Sequence, residues 1–146
     1  MDKALISKLS TCTYIQDKHN IIILGASGAG KTYIGCAFGI TACRNFHNMK
    51  YVRLPDLLND LAVAHSTGTY QKLMKQYKRA ALLILDEWLL LPLKVAEVRD
   101  VLEIVEARHQ RGELRFATCN ESCLVITLLL SYGQIGWKFY RTRVVK

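Results

Sequence analysis

Two stretches of the chain are apolar without interruption, and the remainder shows apolar positions at regular spacing between polar ones. "IIIL" at residues 21–24 and "ALLIL" at residues 81–85 are short and rich in branched side chains. Length and lack of alternation predict strands buried on both faces of a sheet. Residues 3–16 place Leu5, Ile6, Leu9 and Ile15 on one side of a short amphipathic helix. Residues 31–45 predict a second helix. Its Gly35, Ala37, Gly39 and Ala42 let it lie close on a sheet, at some cost in helix propensity. A strand over Lys50 to Leu54 leads into a helix with Pro55 in its first turn and Leu57, Leu58 and Leu61 facing inward. "TYQKLMKQYKRA" follows as a basic helix. Residues 95–111 carry Val98, Val101, Leu102 and Val105 at helical spacing, with Glu97, Asp100, Glu103 and Glu106 among the exposed positions. A fourth strand is expected around Phe116 to Thr118. Strands alternating with helices, without internal repeats or linkers, predict an α/β domain with a mostly parallel sheet.

The first buried strand runs straight into Gly25-Ala26-Ser27-Gly28-Ala29-Gly30-Lys31-Thr32. This fits G-x-x-x-x-G-K-[ST], in the strand-to-helix context that gives the pattern meaning. Glycines bring backbone N–H groups close to phosphate oxygens without side-chain obstruction. The helix that follows points unpaired N–H groups and the positive end of its dipole at the same place. Lys31 can then reach the β- and γ-phosphates of a triphosphate, and Thr32 can offer its hydroxyl to Mg²⁺. The plain alternative is a glycine-rich turn with a solvated lysine.

Asp86 and Glu87 end the second apolar strand. Ligands of open α/β sheets sit at the carboxyl ends of the strands. The acidic pair is therefore expected beside the phosphate loop. There Asp86 would hold Mg²⁺ and Glu87 would polarise a water for attack on the γ-phosphate.

Composition narrows the partners. The chain has 146 residues, of which 51% are hydrophobic and 22% charged, enough for one domain with a core. Its formal net charge of +8 favours polyanions such as nucleic acid. Lys72, Lys75, Lys78 and Arg79 on the basic helix are candidate DNA contacts; the alternative is a solvated face. Five cysteines, an odd number without C-x-x-C pairs, indicate reduced thiols in a cytoplasm. Cys119, Cys123 and His109 fit no standard zinc spacing. The start lacks the pattern of a secretory leader, and Leu124 to Leu130 is too short to span a bilayer, so no membrane association is expected.

Four stretches together, "GASGAGKT", "YVRLPDLLNDL", "YKRAALLILDEW" and "LEIVEARHQR", resemble the IstB-like ATPases. These are transposition helper proteins of bacterial insertion sequences, related to helicase-loader ATPases of the AAA+ class. The resemblance runs from about Asp2 to Gly112. It implies a P-loop NTPase fold of AAA+ type, a parallel sheet flanked by helices. It also implies ATP and Mg²⁺ as cofactors, duplex DNA and a transposase as partners, and self-association. Gly25, Gly28, Gly30, Lys31 and Thr32 carry over as the ATP loop, with Ala26, Ser27 and Ala29 between them. Asp86 and Glu87 carry over as the metal and water residues. A polar sensor residue after the fourth strand falls on Thr118 or Asn120.

The family has a region before the ATPase core, whereas this chain begins almost at the core. Past Gly112 the resemblance fades. Arg115 falls within an expected buried strand, and Arg141 and Arg143 lie outside the family's "D-R" motif. No arginine finger is assigned, and the lid region reads as absent or aberrant. A shifted reading frame near Glu113 to Asn120, or a truncated element copy, is the simplest account. The expected division is an ATPase core over residues 1–120 and a divergent tail over residues 121–146. The sequence favours a DNA-associated ATPase of a transposition system. A small P-loop kinase and a non-catalytic nucleotide-binding remnant are the alternatives.

Overall fold

The two uninterrupted apolar runs form strands flanking the middle of one parallel sheet. The computed structural model of the chain describes residues 6–7, 10–17, 20–88, 92–110, 114–119 and 137–141. Among these, β1 (Asn20–Leu24), β2 (Met49–Arg53), β3 (Leu82–Asp86), β4 (Leu114–Cys119) and β5 (Trp137–Arg141) lie in the order β2-β3-β4-β1-β5. All four pairings are parallel. The helices are α1 (Thr13–Gln16), α2 (Lys31–Arg44), α3 (Leu54–Thr67), α4 (Tyr70–Arg79) and α5 (Val95–Gln110). No helix among the described residues is long and apolar enough to cross a membrane.

Strand alternation sorts the core into two faces. Ile22, Val52, Leu83 and Leu85 pack with Leu57, Leu61, Met74, Tyr77, Val101, Ile104 and Val105 of α3, α4 and α5. Ile21, Ile23, Leu82 and Ile84 pack on the other face with Phe38 and Ala42 of α2 and with Cys12 and Tyr14. The sheet is thus covered on both faces, which accounts for the unbroken apolar runs. Leu57 and Leu61 are buried and Leu58 is half-buried, as the stripe on α3 predicts.

Gly35, Gly39 and Ala42 turn α2 onto the sheet, whereas Ala37 is exposed. At Gly39 a Cβ would meet the terminal methyl of Met49 and stand 3.0 Å from Ile84 Cδ1, so a larger residue would require these side-chain ends to shift.

Three expectations change. The single helix over residues 3–16 is interrupted: residues 6–7 and 10 are helical, Cys12 takes a left-handed φ of 57°, and α1 starts afresh at Thr13. Cys12 and Tyr14 fill the core there, and Ile6 is exposed; Leu5 and Leu9 lie outside the described residues. Leu54 begins α3 rather than ending β2. On α5 the buried stripe is Val101, Ile104, Val105 and Arg108, while Val98 and Leu102 are exposed. Beyond these three, Trp137–Arg141, within the residues read as a tail of uncertain fold, pairs with β1 from Asn20 to Leu24.

Candidate functional site

β1 ends at Leu24, and the loop from Gly25 to Gly30 connects it to α2. Gly28 and Gly30 have φ of 76° and 75°, the left-handed region that side chains other than glycine adopt at a cost. Gly30 is the N-cap residue just before α2, and no side-chain oxygen caps the helix. The first-turn N–H groups, which have no partner inside a helix, are therefore presented to the loop's concave side. The Lys31 ammonium donates to the carbonyls of Gly25 at 2.8 Å and Ala26 at 2.7 Å. A phosphate ligand must offer it better acceptors than these two carbonyls.

Alternation along β3 puts Asp86 on the same face as Leu82 and Ile84, the face covered by α2. Asp86 is 4% exposed, so its carboxylate depends on donors from the protein. It has three. The Thr32 hydroxyl donates to Oδ2 at 2.7 Å, the Tyr51 hydroxyl donates to the same oxygen at 2.8 Å, and the Glu87 N–H donates to Oδ1 at 2.9 Å. Burial, followed by the bond to Asp86, pushes the Tyr51 hydroxyl far above its usual titration range, so it remains a donor.

Glu87 sits just past the strand end with φ 54°. For a non-glycine residue this conformation costs about 1–3 kcal/mol and is typical of functional turns. Its side chain turns toward β2, where one Arg53 nitrogen, Nη2, donates to both carboxylate oxygens at 2.8 Å each. That bond and the Glu87 charge hold the guanidinium above its already high pKa. Arg53 Nη1 also lies 3.9 Å from Asp56.

Thr32 and Asp86 are 54 residues apart in sequence, and the fold brings a hydroxyl and a carboxylate together at the mouth of a left-handed, glycine-lined loop. Both are oxygen ligands of the kind that hard cations take. A family model described as IstB-like ATP binding protein matches residues 1–135. The chain belongs to this family. The matched region extends past Gly112, where the resemblance seen in the quoted motifs ends. A protein of insertion sequence IS1162 from Pseudomonas fluorescens, named for ATP binding, is 36% identical over 108 residues, covering 74% of this chain and 47% of that protein. The y4pL protein of Sinorhizobium fredii, also named as an insertion sequence ATP-binding protein, is 40% identical over 111 residues, covering 76% and 45%. The chain thus spans about half the length of these curated relatives. Among solved structures, DnaA from Aquifex aeolicus bound to AMPPCP superimposes with a TM-score of 0.83 at 18% identity, covering 97% of this chain and 45% of that one. The DnaC helicase loader superimposes with a TM-score of 0.80 at 16% identity, covering 96% and 87%. These likenesses establish the AAA+ type P-loop fold.

Within this IstB-like chain, the residues read from sequence fall into three groups. Gly25 to Thr32 and Asp86 converge. Glu87 lies next to them but is turned onto Arg53. Thr118 lies on β4, in register with Ile23 of β1, and so on the strand between the phosphate loop's strand and that of Asp86. Asn120 lies outside the described residues. The basic helix α4 is elsewhere. Lys72, Lys75 and Arg79 line a cleft at the start of β2, and Lys78 donates instead to Glu103 of α5 at 2.6 Å. No cluster of three or more potential metal ligands occurs among the described residues.

Tyr51 and Arg53 were missed from sequence. Both lie on β2, two residues apart, and so face the same side as Asp86, with which Arg53 is in register. The alternation in "KYVR" carries this signal, but only once β2 is known to neighbour β3.

Proposed function

We propose that the chain is the ATP-binding and ATP-hydrolysing helper subunit of a transposition system, acting on duplex DNA together with a transposase. The observation that carries the nucleotide part is the Thr32–Asp86 contact of 2.7 Å beneath the glycine loop. Backbone N–H groups of Gly28 to Thr32 would bind the phosphates, with Lys31 on the β- and γ-oxygens. Thr32 and Asp86 would hold Mg²⁺, which when bound neutralises charge on the phosphates. Glu87 would accept the proton of a water that bonds to the γ-phosphorus as the bond to the ADP oxygen breaks. With both its oxygens on Arg53, that step is slow, and the chain is expected to bind ATP well and turn it over poorly. The relatives' names, which couple ATP binding to insertion sequences, support the transposition reading. The acidic pair at the end of β3 favours water over a metabolite as acceptor, and so an ATPase over a kinase.

The test is ATP titration by calorimetry, followed by phosphate release with and without duplex DNA. Lys31→Ala removes a charge-assisted contact worth about 1.5–3 kcal/mol. ATP affinity in that variant should fall by at least about tenfold. Wild-type affinity would show that the triphosphate sits elsewhere. Transfer of the γ-phosphate to an added metabolite, seen as ADP formed without matching phosphate release, would favour the kinase.

A further inference from the structure

The basic helix has two flanks with opposite electrostatic fates. On the flank facing α5, Lys78 is consumed by Glu103 at 2.6 Å, and the Tyr70 hydroxyl donates to Asp100 at 2.8 Å and Glu103 at 3.0 Å. On the other flank, Lys72, Lys75 and Arg79 line a cleft of about 460 Å³ together with Lys50, Asn48 and Gln76. None of these lining residues is acidic. Among the described residues, none of the four cations has a carboxylate within ion-pair distance. The cleft is also built in part. The Lys50 ammonium lies 4.7 Å from the centre of the Tyr77 ring and donates to Gln76 Oε1 at 3.1 Å, which fixes one cation against the wall.

Its position separates it from the nucleotide. Asn48 and Ala80 precede β2 and β3, where the Leu82 N–H donates to the Asn48 carbonyl. Asp86 and the phosphate loop lie at the opposite, carboxyl ends of the strands. Lys50 alternates with Tyr51 and so projects from the face covered by α4, not the face covered by α2. In the described sheet β2 is one of the two edge strands.

We infer that this cleft, through Lys50, Lys72, Lys75 and Arg79, is a second polyanion site that holds the sugar-phosphate backbone of nucleic acid, and that Lys78 takes no part in it. The inference rests on the DNA-acting reading of the chain and specifies where the DNA lies. Four unpaired cations flanked by two side-chain amides suit a row of phosphate oxygens. They provide no paired arrangement for reading base edges, so binding is indifferent to sequence. Because cleft and phosphate loop occupy opposite ends of the sheet, ATP and DNA can be held together without sharing a residue.

The experiment measures duplex binding by fluorescence anisotropy over a salt series, using the full chain, Lys72→Glu/Lys75→Glu, and Lys78→Gln. Each phosphate contact contributes about 0.9 to the slope of log affinity against log salt. The double variant should lose about 2 from that slope and most of its affinity, while binding ATP as the wild type does. Lys78→Gln should leave the slope unchanged. Wild-type DNA binding with an unchanged slope in the double variant would overturn the cleft and leave the DNA reading standing. If the wild-type chain binds no duplex at low salt, the DNA reading itself fails. Polyglutamate binding that the two lysine reversals abolish would then make the cleft a docking surface for an acidic protein, and overturn the inference as stated.

Discussion

Glu87 and Arg53 show how a residue's chemistry depends on its neighbour as much as on its motif. The motif predicts that Glu87 activates a water. The geometry gives both its oxygens to a guanidinium. A carboxylate whose two oxygens both accept from Arg53 must give up that contact before it can take a proton from water. Arg53→Ala is therefore expected to raise steady-state phosphate release by about tenfold, within what general-base catalysis supplies. Glu87→Gln in the wild-type background should change the already low rate little. In the Arg53→Ala background the same change should abolish the gain. A gain that survives Glu87→Gln would assign the effect to another group, and the cycle of two single variants and one double separates the cases. The glycine loop, Lys31, Thr32 and Asp86 were legible in the sequence because spacing and strand ends announce them. Arg53 and Tyr51 were not, because their roles depend on the register of β2 against β3, Arg53 opposite Asp86, which no local pattern encodes.

At the scale of elements, the helical layer over the sheet is joined by polar contacts that periodicity misassigns. Arg108 is fully buried on α5. Its Nη1 donates to the Tyr77 carbonyl at 3.0 Å and to the Ala80 carbonyl, tying α5 to the end of α4 and the approach to β3. A hydrophobic scan treats arginine as solvent-facing, so it rotated the predicted stripe of α5 toward Val98 and Leu102. Arg108→Met should keep the packing volume but leave two buried carbonyls without this donor. We expect a loss of about 2–4 kcal/mol, read from the midpoint of chemical denaturation. A loss within error of zero would mean that water takes over the donor's role. The neighbouring contact gives a pH signature. The hydrogen bond from Lys78 holds the Glu103 carboxyl below its ordinary value of 4.5. Its contribution is therefore fully present above that ordinary value and is lost as pH falls through the lower, folded value. Glu103 is largely exposed, so the contribution is below about 1 kcal/mol. Glu103→Gln should lower the melting temperature slightly at neutral pH and make the wild-type and variant curves converge in acid. Curves that stay parallel into acid would show that the pair contributes nothing.

Across the whole molecule, the strand order performs the assembly. β4 lies between β1 and β3, so the loop after β1 and the carboxylate ending β3 meet over the carboxyl end of β4. The alternation of strands and helices was readable from the sequence, and with it the α/β class. The order was not, nor was the place of Trp137–Arg141 beside β1, because pairing partners far apart in sequence leave no periodic trace. Burial of both faces explains why residues 21–24 of β1 and 82–85 of β3 are unbroken apolar runs. One consequence is testable on the intact chain. Thr32 of α2, Tyr51 of β2 and Asp86 of β3 meet at one carboxylate, so a ligand held there braces three elements at once. A ligand that binds only the folded state adds stability as RT ln(1 + [L]/Kd), about 2.7 kcal/mol at a hundredfold excess over Kd. Saturating ATP with Mg²⁺ should thus raise the melting temperature clearly. The rise should disappear in Lys31→Ala at the same ATP concentration. It should persist in Lys72→Glu/Lys75→Glu, whose changes lie at the opposite end of the sheet. If the lysine reversals also erase the rise, the two ends are coupled, and the separation of nucleotide and polyanion sites along the strands is wrong.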